Sequence, residues 1–128
     1  MIQLKSVAIV GVGLIGGSIG LALQHRKIAE RVIGIGRDRC RLKTAYEVGA
    51  VTETATWDEE LACGLAGAEL VVVCTPVDSV PEHVRQAARH ATPGTLITDS
   101  GSTKRTIAEA LDGPLPNDCR FVGSHPLA

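Results

Sequence analysis

Val7-Ala8-Ile9-Val10-Gly11-Val12-Gly13-Leu14-Ile15-Gly16 decides the reading of this chain. An apolar run rich in β-branched residues leads into glycines at G-x-G-x-x-G spacing, and a segment of helical character follows. Strand, glycine turn and helix, in that order, form the signature of a βαβ unit that binds a dinucleotide. Each glycine has its own task in such a unit. Gly11 permits the tight turn out of the strand, Gly13 leaves the backbone open to a pyrophosphate, and Gly16 lets the helix pack closely. The helix start, at Leu14 and Ile15, offers unpaired N–H groups and the positive end of the dipole to the phosphates. Gly11, Gly13, Leu14, Ile15 and Gly16 are therefore read as cofactor-binding. The hexapeptide alone is common, and its flanks give it weight.

The rest of the chain alternates in the same way. Strands are expected over 7–10, 31–36, 51–53, 69–75, 95–99 and 120–123. Helices are expected over 14–25 and over 39–48, the latter closed by Gly49. A capping box, Thr56-x-x-Glu59, opens a short helix to about residue 63. Another helix runs from 78 or 79 to about 90 with Pro81 in its first turn, and a last one from 102 to 111. The run 69–75 is continuously apolar, as a strand buried on both faces requires. Six strands interleaved with helices define an α/β fold of Rossmann type, a doubly wound, mostly parallel six-stranded sheet. Its usual strand order is 3-2-1-4-5-6. Residues 1–128 are read as one NAD(P)-binding domain, without repeats or linkers. Ser124-His125-Pro126-Leu127-Ala128 follows closely on a strand with no helix to close it, so the chain reads as the front piece of a longer protein.

Composition narrows the function classes. The chain has 128 residues and is 45% apolar, enough for a core; with one Trp, one Tyr and one Phe, that core must be aliphatic. Lys plus Arg is 13 against 14 Asp plus Glu, which gives no basic surplus for a nucleic-acid partner. Cys40, Cys63, Cys74 and Cys119 are widely spaced and form no C-x-x-C, so no metal site or redox motif is expected. Cys74 is read as a buried small hydrophobe, and free thiols suit a reducing cytoplasm. Residues 7–23 carry no charge and imitate a signal or membrane segment. That stretch is shorter than the ~20 residues of a spanning helix, and its glycines suit a turn and close packing. No membrane segment is expected, and the expected location is cytoplasmic.

In doubly wound sheets ligands bind outside the carboxyl ends of the strands. This rule gathers the 11–16 loop, Arg37 and Asp38, Thr75 and Pro76, residues 100–104, and Ser124 and His125 on one edge. The first half of the sheet takes adenosine and the second takes nicotinamide. An acidic residue about 20 positions past the last glycine would bond the ribose hydroxyls of NAD. Gly36 stands there, and Arg37 follows it. A guanidinium beside an absent carboxylate suits a 2′-phosphate. Arg37 thus points to NADP; NAD, held through Asp38, is the alternative, as is a merely solvated Arg37. Thr75 and Pro76 are read as a platform under the cofactor.

His125 falls on the nicotinamide side and is the candidate acid/base, because imidazole titrates near neutral pH. A loop histidine with a structural hydrogen bond is the plainer reading. Ser102 is placed to orient His125 or the nicotinamide amide, or simply to cap the helix behind it. His25 and His90 end helices, where a cation suits the dipole, and His83 sits on a helix with no partner motif. Lys104 and Arg105 are read as solvated, Asp99 as a cap for the loop after it, and Glu59 and Glu60 as a helix face.

Four segments together resemble the prephenate/arogenate dehydrogenase family of tyrosine biosynthesis. They are Val10-Gly11-Val12-Gly13-Leu14-Ile15-Gly16-Gly17-Ser18, Cys74-Thr75-Pro76-Val77, Thr98-Asp99-Ser100-Gly101-Ser102-Thr103-Lys104 and Phe121-Val122-Gly123-Ser124-His125-Pro126-Leu127-Ala128. The last two are the more specific. The resemblance implies an NAD(P)-dependent oxidoreductase that oxidatively decarboxylates a small cyclohexadienyl acid. Prephenate would give 4-hydroxyphenylpyruvate, and arogenate would give tyrosine. It implies that His125 acts as base on the ring hydroxyl and that Ser102 supports this geometry. Family members continue into a helical domain that dimerises and supplies arginines for the substrate carboxylates; these 128 residues contain no such domain. They are therefore expected to bind cofactor without turnover. The Gly36-Arg37 pair departs from NAD-type members and matches NADP-type ones. Two other readings stand beside this one: a different Rossmann reductase of a small acid or imine, and a non-catalytic dinucleotide-binding module.

Overall fold

A computed structural model describes residues 3–101 and 104–124. Six strands form one sheet: β1 Leu4–Val10, β2 Ala29–Gly36, β3 Glu53–Thr56, β4 Leu70–Val73, β5 Leu96–Asp99 and β6 Arg120–Val122. Their order is β3-β2-β1-β4-β5-β6, and every pairing is parallel. The expected Rossmann order is therefore the observed one. The helices are α1 Leu14–His25, α2 Arg39–Glu47, α3 Leu61–Leu65, α4 Val80–His90 and α5 Lys104–Ala110.

The central strand explains the layering. Successive side chains of a strand face opposite sides, so Val7 and Ile9 enter one core and Ala8 and Val10 the other. The Val7/Ile9 core lies beneath α1 and α2, with Val32, Ala45, Val51 and Val72. The larger core holds Ile35, Leu65, Val73, Val84, Ile97 and Ile107, with α3, α4 and α5 above it. It is aliphatic, as composition demands, with Trp57 as its aromatic member. The uncharged 7–23 stretch splits into a strand, a turn and a helix; among the described residues no helix is long and apolar enough to cross a membrane.

Two expectations need correction. The third strand lies at Glu53–Thr56 and not at 51–53. Pairing with β2 sets its register, with Ile33 opposite Glu53 and Gly36 opposite Thr56. Ala50 and Val51 precede the strand and are buried in the smaller core. Thr56 is thus a strand residue and cannot cap a helix. The helix begins later, at Leu61, and Glu60, not Glu59, reaches back to accept from the Thr56 amide at 2.9 Å. This hydrogen bond holds the Glu60 carboxyl below the usual carboxylate range. The shift brings Trp57 directly behind β3, at the carboxyl edge of the sheet.

Candidate functional site

All strand ends point to one edge, where the 11–13 turn leaves β1. Gly11 has φ +90°, which a side chain rarely tolerates. A β-carbon there would also sit 3.0 Å from the Cys74 carbonyl oxygen and from Thr75 Cγ2. Gly16 is buried under the turn, and a β-carbon on it would stand 2.1 Å from the Gly11 carbonyl oxygen. Gly13 is different, since nothing lies within 4 Å of its missing β-carbon. The backbone there is open to a large group. Gly13 is also the N-cap of α1, with no side-chain cap and no acidic residue in the first turn. The positive end of a 12-residue helix thus meets open space beside bare backbone, the environment that binds phosphate.

A cavity of about 290 Å³ extends from this turn between the ends of β2 and β4. Gly11, Gly13, Arg37, Thr75 and Pro76, all singled out in the sequence, line it. Leu14 and Ile15 do not; Leu14 is 89% exposed and Ile15 44%, on the open side of α1. Gly16 lies below the cavity as the seat of the helix. Among the described residues Arg37 makes no ion pair. Asp38, by contrast, caps α2: its Oδ1 accepts from the amides of Cys40 (2.9 Å) and Arg41 (3.3 Å). The acidic residue at the β2 end is thus engaged by a helix terminus. Arg41, which no sequence motif singles out, also lines the cavity.

Three further wall residues were not assigned a site role from sequence. Trp57 and His83 meet edge to face, ring centroids 4.8 Å apart at 61°. His83 Nδ1 lies 2.7 Å from Thr75 Oγ1. Burial and the nearby Arg37 push the His83 imidazolium below its ordinary pKa, against a weaker opposite pull from Glu82. The third residue is Cys74, which its apolar run marks as a buried hydrophobe. It is half-buried beyond the end of β4 and forms part of the wall, and desolvation raises its thiol pKa. Cys119 is the buried cysteine.

At the other end of the edge, β5 and β6 are tied together. Ser124 Oγ donates to the Asp99 carbonyl at 2.6 Å, and the Ser124 amide reaches Asp99 Oδ1 at 3.3 Å. Asp99 Oδ2 accepts from the Gly101 amide at 2.9 Å, so Asp99 caps the next loop as expected. Asp99 is 1% exposed. Ser102 and His125, the candidate catalytic pair, lie outside the described residues. Their flanking residues, Gly101 and Ser124, share the Asp99 carboxylate. Arg105 is exposed and pairs with Glu109. Among the described residues no cluster of three or more His, Cys, Asp or Glu is placed to hold a metal.

The parallel order 3-2-1-4-5-6, with an open glycine turn where the winding reverses, defines the class: a nucleotide-binding domain of Rossmann type. The chain belongs to the family of prephenate dehydrogenase nucleotide-binding domains, whose model matches residues 19–128. That span begins beyond the glycine turn, but likeness to individual relatives covers the turn as well. Prephenate dehydrogenase of Bacillus subtilis is 34% identical over 130 residues, covering 100% of this chain and 34% of that protein. Among solved structures, prephenate dehydrogenase of A. aeolicus in complex with hydroxyphenyl propionate and NAD+ superposes with a TM-score of 0.78. It is 22% identical and covers 98% of this chain and 43% of its own. Synechocystis arogenate dehydrogenase gives a TM-score of 0.75 at 25% identity, over 95% and 41% of the two chains. The chain spans about a third of the length of the curated relatives it matches.

Proposed function

We propose that residues 1–128 are the cofactor domain of an oxidoreductase of tyrosine biosynthesis, acting on prephenate or arogenate with NADP in preference to NAD. The observation that carries the reading is the Asp99–Ser124 junction, which joins the two segments by which the chain most specifically resembles that family. The open backbone at Gly13 and the uncapped start of α1 fit a pyrophosphate. Support for NADP comes from Arg37, which has no ion pair among the described residues, and from Asp38, whose carboxylate caps α2. Gly11, Gly13, Leu14, Ile15, Gly16, Arg37, Thr75 and Pro76 are the proposed cofactor-binding residues.

When bound, the nicotinamide supplies a hydride acceptor. The protein's part is to orient the substrate and move one proton. His125 is the proposed base toward the ring hydroxyl, and Ser102 holds the substrate geometry beside it. Loss of the carboxylate as CO₂ leaves an aromatic ring. The whole protein is proposed to be cytoplasmic, and homodimeric through a helical domain that also supplies arginines for the substrate carboxylates.

Two measurements test this. Residues 1–128 alone should bind NADP yet turn over neither acid; robust turnover would overturn the division of labour. In the whole protein, His125→Asn should cut the hydride-transfer rate with little loss of cofactor affinity. An unchanged rate would remove His125 from the mechanism.

A further inference from the structure

His83 has no partner along its own helix, yet the fold gives it two. Thr75 Oγ1 holds Nδ1 at 2.7 Å, and Trp57 meets the ring edge to face at 4.8 Å. These contacts orient an imidazole in the wall of a cavity that Arg37, Asp38 and Arg41 also line. Among the described residues, the other ring nitrogen, Nε2, has no hydrogen-bond partner.

The partner of Nδ1 is a hydroxyl, which donates to a neutral ring nitrogen and accepts from a protonated one. His83 can therefore change charge without losing Thr75. Charged and titratable groups surround it from several elements. Arg37 and Asp38 come from the β2–α2 turn, Arg41 from the first turn of α2, Cys74 from beyond the end of β4, and Glu82 from α4 itself. Asp58, Glu59 and, from the end of α4, His90 line an adjoining cleft with Trp57 and Arg37. Burial and Arg37 disfavour the imidazolium. A phosphomonoester brings about −1.5 to −2 charges. Beside Arg37 it would offset that cation and favour a second one.

We propose that His83 is a nucleotide-contacting residue that takes up a proton when a 2′-phosphorylated nucleotide fills the cavity, so that preference for NADP over NAD rises as pH falls. This inference rests on the NADP reading above and adds a titratable cation to Arg37. NAD lacks the 2′-phosphate and gives His83 no anion to pair with there.

Trp57, the single tryptophan, reports on the site. Its emission is titrated between about pH 5 and pH 8.5, across the histidine range, without nucleotide, with NADP and with NAD. The free midpoint should lie below the ordinary histidine value of ~6.5, rise with NADP and stay with NAD. The transition should be absent in His83→Gln. Calorimetric titrations over the same range give the ratio of the two affinities. For a midpoint moved by about one unit, the ratio should gain up to about tenfold toward acid pH, and lose this gain in His83→Gln. The 2′-phosphate has its own ionisation near pH ~6, which acts in the opposite sense and persists in the variant. Comparison of the two proteins therefore isolates the histidine.

A midpoint that NADP does not move, or an identical pH course in both proteins, overturns the proposal. The NADP reading then survives if NADP still binds more tightly than NAD. Equal binding of both nucleotides by the unaltered chain at every pH overturns that reading and the proposal with it. The emission titration uses the unaltered chain, so the test stands even if His83→Gln fails to fold.

Discussion

The β-carbon that Gly16 lacks would stand 2.1 Å from the carbonyl oxygen of Gly11. Helix α1 is thus seated directly on the turn that leaves β1, and the turn cannot move without the helix. Gly16→Ala should force the two apart, and overpacking of this kind costs about 1–3 kcal/mol. Gly13→Ala meets no atom within 4 Å and should cost under about 1 kcal/mol, through the poorer N-cap. Nucleotide affinity should nevertheless fall about tenfold or more in Gly13→Ala, because the methyl group occupies the open backbone a phosphate would approach. Denaturant midpoints and calorimetric titration of both variants check the contrast.

Arg37 and Asp38 are neighbours with separate tasks. Arg37→Ala should weaken NADP by about tenfold or more, the scale of a lost charge-assisted hydrogen bond, and leave NAD nearly unchanged. Asp38→Ala should lower stability by about 1 kcal/mol through loss of the α2 cap and preserve the order of nucleotide preference. Equal loss of both nucleotides in Arg37→Ala would remove its role toward the 2′-phosphate.

His83 predicts the direction of a pH effect on stability. Its folded pKa lies below the unfolded value, so the folded chain binds fewer protons at this site. The contribution is complete above the unfolded value of ~6.5 and is lost as pH falls through the folded value. The chain should therefore unfold at lower denaturant concentration under mildly acid conditions than at neutral pH. His83→Gln should flatten that part of the profile.

Asp99 joins the ends of β5 and β6 with a buried carboxylate. Asp99→Ala removes the acceptor for the amides of Gly101 and Ser124. Loss of hydrogen bonds to a charged group should cost about 1.5–3 kcal/mol. Hydrogen exchange should accelerate first at those two amides. Asp99→Asn, which keeps one oxygen acceptor, should show the smaller change.

Much of this architecture is legible along the chain. The bounds of α1 and the strand order follow from glycine spacing and apolar runs, because both record local geometry. In isolation 51–53 reads as the third strand, whereas pairing with β2 carries that strand to Glu53–Thr56. That shift also accounts for Thr56, which resembled a helix cap until its backbone entered the sheet. Trp57 and His83 are 26 positions apart and share no motif, so no spacing rule could pair them. Their contact arises where β3 and β4 deliver neighbouring segments to one edge.

Local pattern by itself determined the class of fold, the glycine turn and the edge on which a ligand belongs. These depend on residue types within a few positions of one another. Tertiary packing alone decided which candidates share a cavity: Arg37, Thr75 and Pro76 inside, Leu14 and Ile15 outside. It also engaged Asp38 with a helix end and brought His83 beside Thr75 and Trp57. The reason is physical. A parallel sheet gathers distant strand ends at one edge, and the register that positions their side chains is set by partners on other strands.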